Sequence, residues 1–239
     1  MYFLLSGEGP TDIGLCADSI NACEGNRHLQ GPMAIIISQI IEQQIGFSFM
    51  DTEYYGYVSK QELVARAFQF KHQKKSLRLP GKKKPKETGY FYRNARALAL
   101  CAKDKKAEFN DEVIAVFFRD SDGTASADRG LWQNKWDSIV QGFSDEGFDR
   151  GVPMIPKPKS EAWIICSVKN NPYQGCEALE NRSGNDKSPN SLKDELANIL
   201  DGLPSREQLC EMAINGTIDS NRINMPSFLA FKQALLDLL

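Results

Sequence analysis

Carboxylates are the side chains from which this sequence could build a reaction centre. Glu8 follows an apolar run at residues 2–6, in the stretch LLSGEGPTD, while Asp120 and Asp122 follow the run VIAVFF, in FFRDSDG. Lys157, Lys159 and Glu161 follow a third apolar run at residues 152–155, in PKPKSEAWIICS. Two aspartates separated by one residue, just past a strand, can turn their oxygens to one hard cation; Mg²⁺ takes one or two such carboxylates together with waters and substrate phosphates. Glu8 could join them as a ligand, or serve as a general acid or base. The same Asp-Ser-Asp-Gly also suits a turn closed by its own side chains. As a calcium loop it fails, because the sixth position from Asp120 is Ala125 where glycine is required and the twelfth is Leu131 where glutamate is required. Lys159 either offsets the charge of a phosphoryl group or lies solvated in a loop. Glu161 either joins the acidic set or is a first-turn residue favoured by a helix dipole. Arg119 could pair with the aspartates or reach a phosphate, and Trp163 reads as core.

Other chemistries are poorly supplied. Only two histidines exist, His28 and His72, so the H-E-x-x-H zinc hydrolases and Cys/His fingers lack their ligands. The six cysteines form no C-x-x-C, and the N-terminal MYFLLSGEG has no basic leader, so it reads as a first strand rather than a signal. Reduced thiols and a cytoplasmic setting are the expectation. The longest uninterrupted apolar run, Val113–Phe118, is far below the roughly 18 residues of a membrane span. No G-x-x-x-x-G-K-S/T is present, so any nucleotide-driven action needs a partner ATPase.

Charge is uneven. Net charge is −2, yet residues 71–86 hold eight cations and no acid: Lys71, Lys74, Lys75, Arg78, Lys82, Lys83, Lys84 and Lys86. Removing them from 29 basic residues leaves 21 against 31 acidic ones, about −10 for the remainder. Such a segment would bind a phosphate backbone with strong salt dependence, and Tyr90, Phe91 and Tyr92 downstream offer faces for base stacking. A solubilising loop is the alternative.

The elements that must position these groups follow from the pattern of the 239 residues, 41% hydrophobic and 25% charged. That balance is of an ordinary globular chain. Strands are expected at residues 2–6, 47–57, 113–119 and 152–155. Helices are expected from near Ile13, over 33–45 by the isoleucine spacing, over 60–70 with Ser59 as cap and Glu62 completing a capping box, and over 90–109, 131–143 and 161–169. Asp12 reads as the cap of the helix near Ile13. Beyond residue 170 the signals are helical, near 191–200, 205–214 and 226–239, with ten acidic and six basic residues. Alternation of strand and helix predicts a parallel sheet of about four strands with helices on both faces. Ligands then bind beyond the carboxyl ends of the strands, where the three polar clusters fall.

LLSGEGPTD, FFRDSDG and PKPKSEAWIICS, in this order, resemble the motifs of Toprim (topoisomerase–primase) domains. They are most similar to a group of prokaryotic Toprim-like proteins with E-G-x-T-D/E, D-x-D-G and E-A-W motifs, related to the overcoming-lysogenization-defect nucleases. The resemblance covers residues 1–168 and rests on about twenty positions. It implies a Toprim-like (Rossmannoid) domain over 1–169, with 71–86 as an inserted basic loop and 170–239 as a helical extension packed on it. It further implies Mg²⁺ or Mn²⁺ held by Glu8, Asp120 and Asp122, with Lys159 and Glu161 as further catalytic candidates. The implied activity is a metal-dependent nuclease acting on DNA or RNA, in a setting such as phage defence. A non-catalytic nucleic-acid-binding or partner-regulating protein and a small-substrate phosphohydrolase are the alternatives. All three of Glu8, Asp120 and Asp122 favour catalysis over binding alone, and the basic segment favours a polymer over a small substrate.

Overall fold

A computed structural model describes residues 1–68, 86–121, 129–171 and 174–239. The chain is mixed α/β, and its main sheet has five strands in the order β3-β5-β1-β6-β7. Four of them run parallel: β5 (Tyr55–Ser59), β1 (Tyr2–Gly7), β6 (Val113–Phe118) and β7 (Gly151–Met154). Their residues are buried almost without a break, as expected of strands covered on both faces. Along β1, Phe3 and Leu5 enter one core while Tyr2 and Leu4 enter the other. On the first face lie α1 (Pro32–Ile45), α5 (Ser160–Val168) and the C-terminal helices. On the second lie α2 (Lys60–Ala67), α3 (Lys86–Phe109) and α4 (Arg129–Asp145).

The expected helix near Ile13 does not form. Residues 14–30 instead give an antiparallel pair, β2 (Gly14–Cys16) with β4 (His28–Gln30), and β3 (Ala22–Glu24), which closes the sheet edge antiparallel to β5. The strand expected over 47–57 is shorter: Phe49–Thr52 make one 3₁₀ turn before Glu53, at φ +53°, redirects the chain into β5. The thiols also depart from expectation, since Cys16 pairs with Cys23 and Cys166 with Cys176, leaving Cys101 and Cys210 free.

Local signals set the helix starts. Ser59 Oγ accepts the Glu62 N–H at the start of α2, and Ser205 and Gln208 form a reciprocal capping box ahead of α8 (Arg206–Ile214). With α6 (Cys176–Leu179), α7 (Leu192–Ile199) and α9 (Pro226–Leu236), α8 continues the chain beyond α5. Gln39 of α1 donates to the carbonyls of Ala213 and Ile218 at 2.7 and 2.8 Å and accepts the Ser220 N–H, so one amide side chain ties α1 to this C-terminal region. Trp163 of α5 is fully buried against Phe228 and Phe231 of α9. No helix among the described residues is long and apolar enough to cross a membrane.

Candidate acidic site at the carboxyl edge of the sheet

Register builds the first half of the site. Gly7 lies opposite both Ser59 and Phe118, so the next residues of β1, β5 and β6, namely Glu8, Lys60 and Arg119, emerge side by side. Gly7 is required there, because a Cβ would meet the Phe118 carbonyl oxygen at 2.6 Å. Lys60 Nζ lies 2.6 Å from Glu8 Oε2, and Arg119 Nη2 lies 3.4 Å from Glu8 Oε1. The Arg119 guanidinium carbon stands 3.8 Å from the centre of the Tyr90 ring, a cation–π contact. The crevice among these groups leaves no room for a water molecule. Arg119 thus pairs with Glu8.

The second half is built around the start of α5. After the turn at Gly9 (φ +95°), the Asp12 N–H donates to the Gly9 carbonyl. Its carboxylate then accepts from Thr11 Oγ1 at 3.2 Å through Oδ2, and from Ser160 Oγ through Oδ1. The Ser160 N–H donates to Asp120 Oδ1 at 2.9 Å. Lys159, the residue before α5, supplies no side-chain cap, so Asp120 satisfies an orphan N–H of the helix from the loop that follows β6. Glu161 Oε2 is 3.4 Å from Ser160 Oγ. One serine therefore gathers Asp12, Asp120 and Glu161.

Burial, and then the charge of Glu161, hold the Asp12 carboxyl above its usual range against the opposing hydrogen bonds of Ser160 and Thr11 and the charge of Lys159. Lys159 is 8% exposed, not a solvated loop residue. Burial alone would lower its pKa, but pairing with Asp186 Oδ1 at 2.5 Å, together with the charges of Glu161 and Asp120, raises it. Asp186 belongs to the C-terminal region, as does Glu180, which lies 3.8 Å from Lys157 and caps α9 by accepting the Ser227 N–H. The Asp120 loop is fixed from below, with Lys135 Nζ donating to the Ser121 carbonyl at 2.6 Å.

Of the residues expected from sequence, Asp120, Glu161 and Lys159 come together, and Glu8 lies in the adjoining ion-paired set. Asp122 and the cations Lys71, Lys74, Lys75, Arg78, Lys82, Lys83 and Lys84 fall outside the described residues, and Lys86 enters only as the first residue of α3. Phe91 does not offer a stacking face, being 1% exposed in the second core, and the Tyr90 face is covered by Arg119. Asp12 and Ser160 are additions to the expected set. Asp12 is legible in sequence as the terminal acid of E-G-P-T-D, four residues after Glu8. Lys60 and Asp186 carry no local signal.

By donor type, Asp12, Asp120 and Glu161 suit a hard cation, and the raised pKa of Asp12 reflects first its burial and then the charge of Glu161. Among the described residues no three carboxylate, histidine or cysteine side chains gather closely enough to hold a metal ion by themselves. Comparison of the chain with protein-family models, curated proteins and solved structures finds no match.

Proposed function

We propose that the acidic edge of the sheet is the site of a metal-dependent phosphodiester hydrolase acting on nucleic acid, on a Toprim-like fold. The observation that carries this reading is the gathering of Asp12, Asp120 and Glu161 around Ser160, with Lys159 beside them, where parallel sheets bind ligands. Glu8, Asp120 and Asp122 would hold Mg²⁺ or Mn²⁺, which would supply charge neutralisation at the phosphoryl group. The remaining work falls to the chain's own side chains. Lys159, kept protonated by its acidic neighbours, offsets the charge that develops on the phosphoryl oxygens. Asp12, with its proton affinity raised and its orientation set by Ser160, takes the proton of the attacking water. The water oxygen adds to phosphorus as the bond to the leaving oxygen breaks; that oxygen departs with the bonding electron pair and takes up a proton from solvent. The cations of residues 71–86 hold the polymer backbone. The substrate is met in the cytoplasm, with a partner ATPase and a role in phage defence as the accompanying setting.

The test is cleavage of labelled DNA and RNA with Mg²⁺ or Mn²⁺. Asp120→Asn and Glu8→Gln each lower turnover by about a hundredfold or more while the chain stays folded. Activity that persists in EDTA, or in Asp120→Asn, overturns the reading. A second reading, a nucleic-acid-binding protein without catalysis, is favoured by one observation: Glu8 and Asp120 each have a structural partner, in an ion pair and a helix cap. Binding without cleavage of either polymer, in the presence of both metals, selects it.

A further inference from the structure

Glu8 is the acid nearest the start of the proposed site, yet its oxygens face Lys60 at 2.6 Å and Arg119 at 3.4 Å. Neither cation is fully used by it. A guanidinium offers five N–H donors in a planar fork and grips a carboxylate or a phosphate best through two short parallel bonds. The nearest approach of Arg119 to Glu8 is long for a charge-assisted bond, and its Nη1 is buried with no hydrogen-bond partner. Glu8 Oε2 is likewise buried without a hydrogen bond, although Lys60 faces it. Tyr90 holds the guanidinium plane 3.8 Å from its ring centre, so the fork is oriented in advance. Lys60 is 45% exposed on its side chain and sits in the first turn of α2, whose dipole favours an anion. The three side chains therefore form a cation–anion–cation row with the outer cation open to solvent.

We propose that Lys60 and Arg119 are a phosphate-binding pair for which Glu8 is the internal occupant. A backbone phosphate of a polynucleotide takes the place of the Glu8 carboxylate between the cations and releases Glu8 toward the Asp120 edge. A backbone phosphodiester offers two anionic oxygens, as the carboxylate does, but sets them about a tetrahedral centre, so one can face Lys60 while the other meets the Arg119 fork that Glu8 reaches only at 3.4 Å. The role of the released Glu8 rests on the hydrolase reading; the binding exchange does not.

The experiment is fluorescence anisotropy of a short labelled single-stranded DNA with the full chain in EDTA, where no cleavage is expected. Glu8→Gln, by vacating the pair, tightens binding about fivefold, and Lys60→Ala weakens it by a similar factor. Arg119→Ala weakens it as well, with Arg119→Lys intermediate because the point charge remains and the fork is lost. The gain from Glu8→Gln disappears when Lys60 and Arg119 are both alanine. Unchanged affinity in Glu8→Gln overturns the proposal. So does an equal gain in the alanine background, which marks a general effect of net charge. Thermal melting checks each fold, and if Arg119→Ala unfolds, the Glu8→Gln and Lys60→Ala cycle still decides between the two outcomes. Because every reading is taken in EDTA, loss of hydrolysis with the exchange intact counts against the hydrolase alone.

Discussion

The two acidic groups at the carboxyl edge of the sheet solve one electrostatic problem by different means. Glu8 is balanced by cations placed on either side of it by strand register, with no change of partner needed in the backbone. Asp12, Asp120 and Glu161 are held instead by one serine and a helix start, with Lys159 as the nearby cation, and burial raises the proton affinity of Asp12. The first arrangement is a closed ion pair that a competing anion can open. The second is a buried carboxylate with acidic neighbours, in which burial first, and then the charge of Glu161, favours the protonated form. Under the two proposals, neighbouring carboxylates face opposite classes of ligand.

The largest expected effect belongs to His28, on the hairpin strand β4 rather than in either acidic group. Its Nε2 donates to the Ile13 carbonyl at 3.1 Å, which leaves Nδ1 as the bare nitrogen, buried without a partner. Burial, and then the charge of Arg206, lower its pKa from 6.5 to about 4. Between those values the unfolded chain binds more protons than the folded one, so stability falls as pH drops through the window, by about 3 kcal/mol in all. Urea unfolding of His28→Gln should show that limb flattened; an unchanged limb means that another group titrates there.

Next in size is the loss of each lysine. Lys159→Ala leaves Asp186, Glu161 and Asp120 crowded around a nearly buried position and should cost about 2 kcal/mol. Lys60→Ala removes a half-exposed partner and should cost about 0.5 kcal/mol or less. Equal losses in urea unfolding would erase the distinction between the two groups.

The smallest effect has the opposite sign. Asp12→Asn keeps an acceptor for Ser160 and removes a charge that the fold disfavours, so it should stabilise the chain by about 1 kcal/mol at neutral pH while turnover is lost. The folded pKa of Asp12 lies above its unfolded value, so this gain should shrink as pH falls and both states become protonated. Destabilisation by Asp12→Asn at neutral pH would show that Asp12 is held for structure alone.

What the sequence disclosed follows from how local each cause is. The strands at Tyr2–Gly7, Val113–Phe118 and Gly151–Met154 are legible because strands covered on both faces are continuously apolar. The starts of α2 and α8 are legible because a serine cap and the N–H it accepts lie three residues apart. Only Ser205 and Gln208 close the reciprocal box; at α2 the Ser59 N–H donates to the Asn21 carbonyl and Glu62 pairs with Arg66 instead. The hairpin and edge strand within 14–30 are not legible, because three-residue strands carry no period and their order comes from pairing with β5. The aromatic run at 47–57 disguised the turn at Phe49–Thr52 as strand for the same reason. In the site, Glu8 and Asp120 are marked by their place after apolar runs. The Asp186–Lys159 contact spans 27 residues and is set by how the C-terminal region lies against α5, which no spacing encodes.

Trp163 gives this region an optical consequence. It lies three residues beyond Ser160 on α5, fully buried, with its indole N–H donated to Ser227 Oγ at 2.9 Å and its ring against Phe228. The other two tryptophans, Trp132 and Trp136, form a partly buried pair on α4 with ring centres 5.3 Å apart. One indole therefore senses the junction of the site-bearing helix with the last helix of the chain, while the other two sense the opposite face of the sheet. Replacing Trp132 and Trp136 by phenylalanine would leave an emission spectrum that reads out, from a single buried fluorophore, whether α9 is seated against α5.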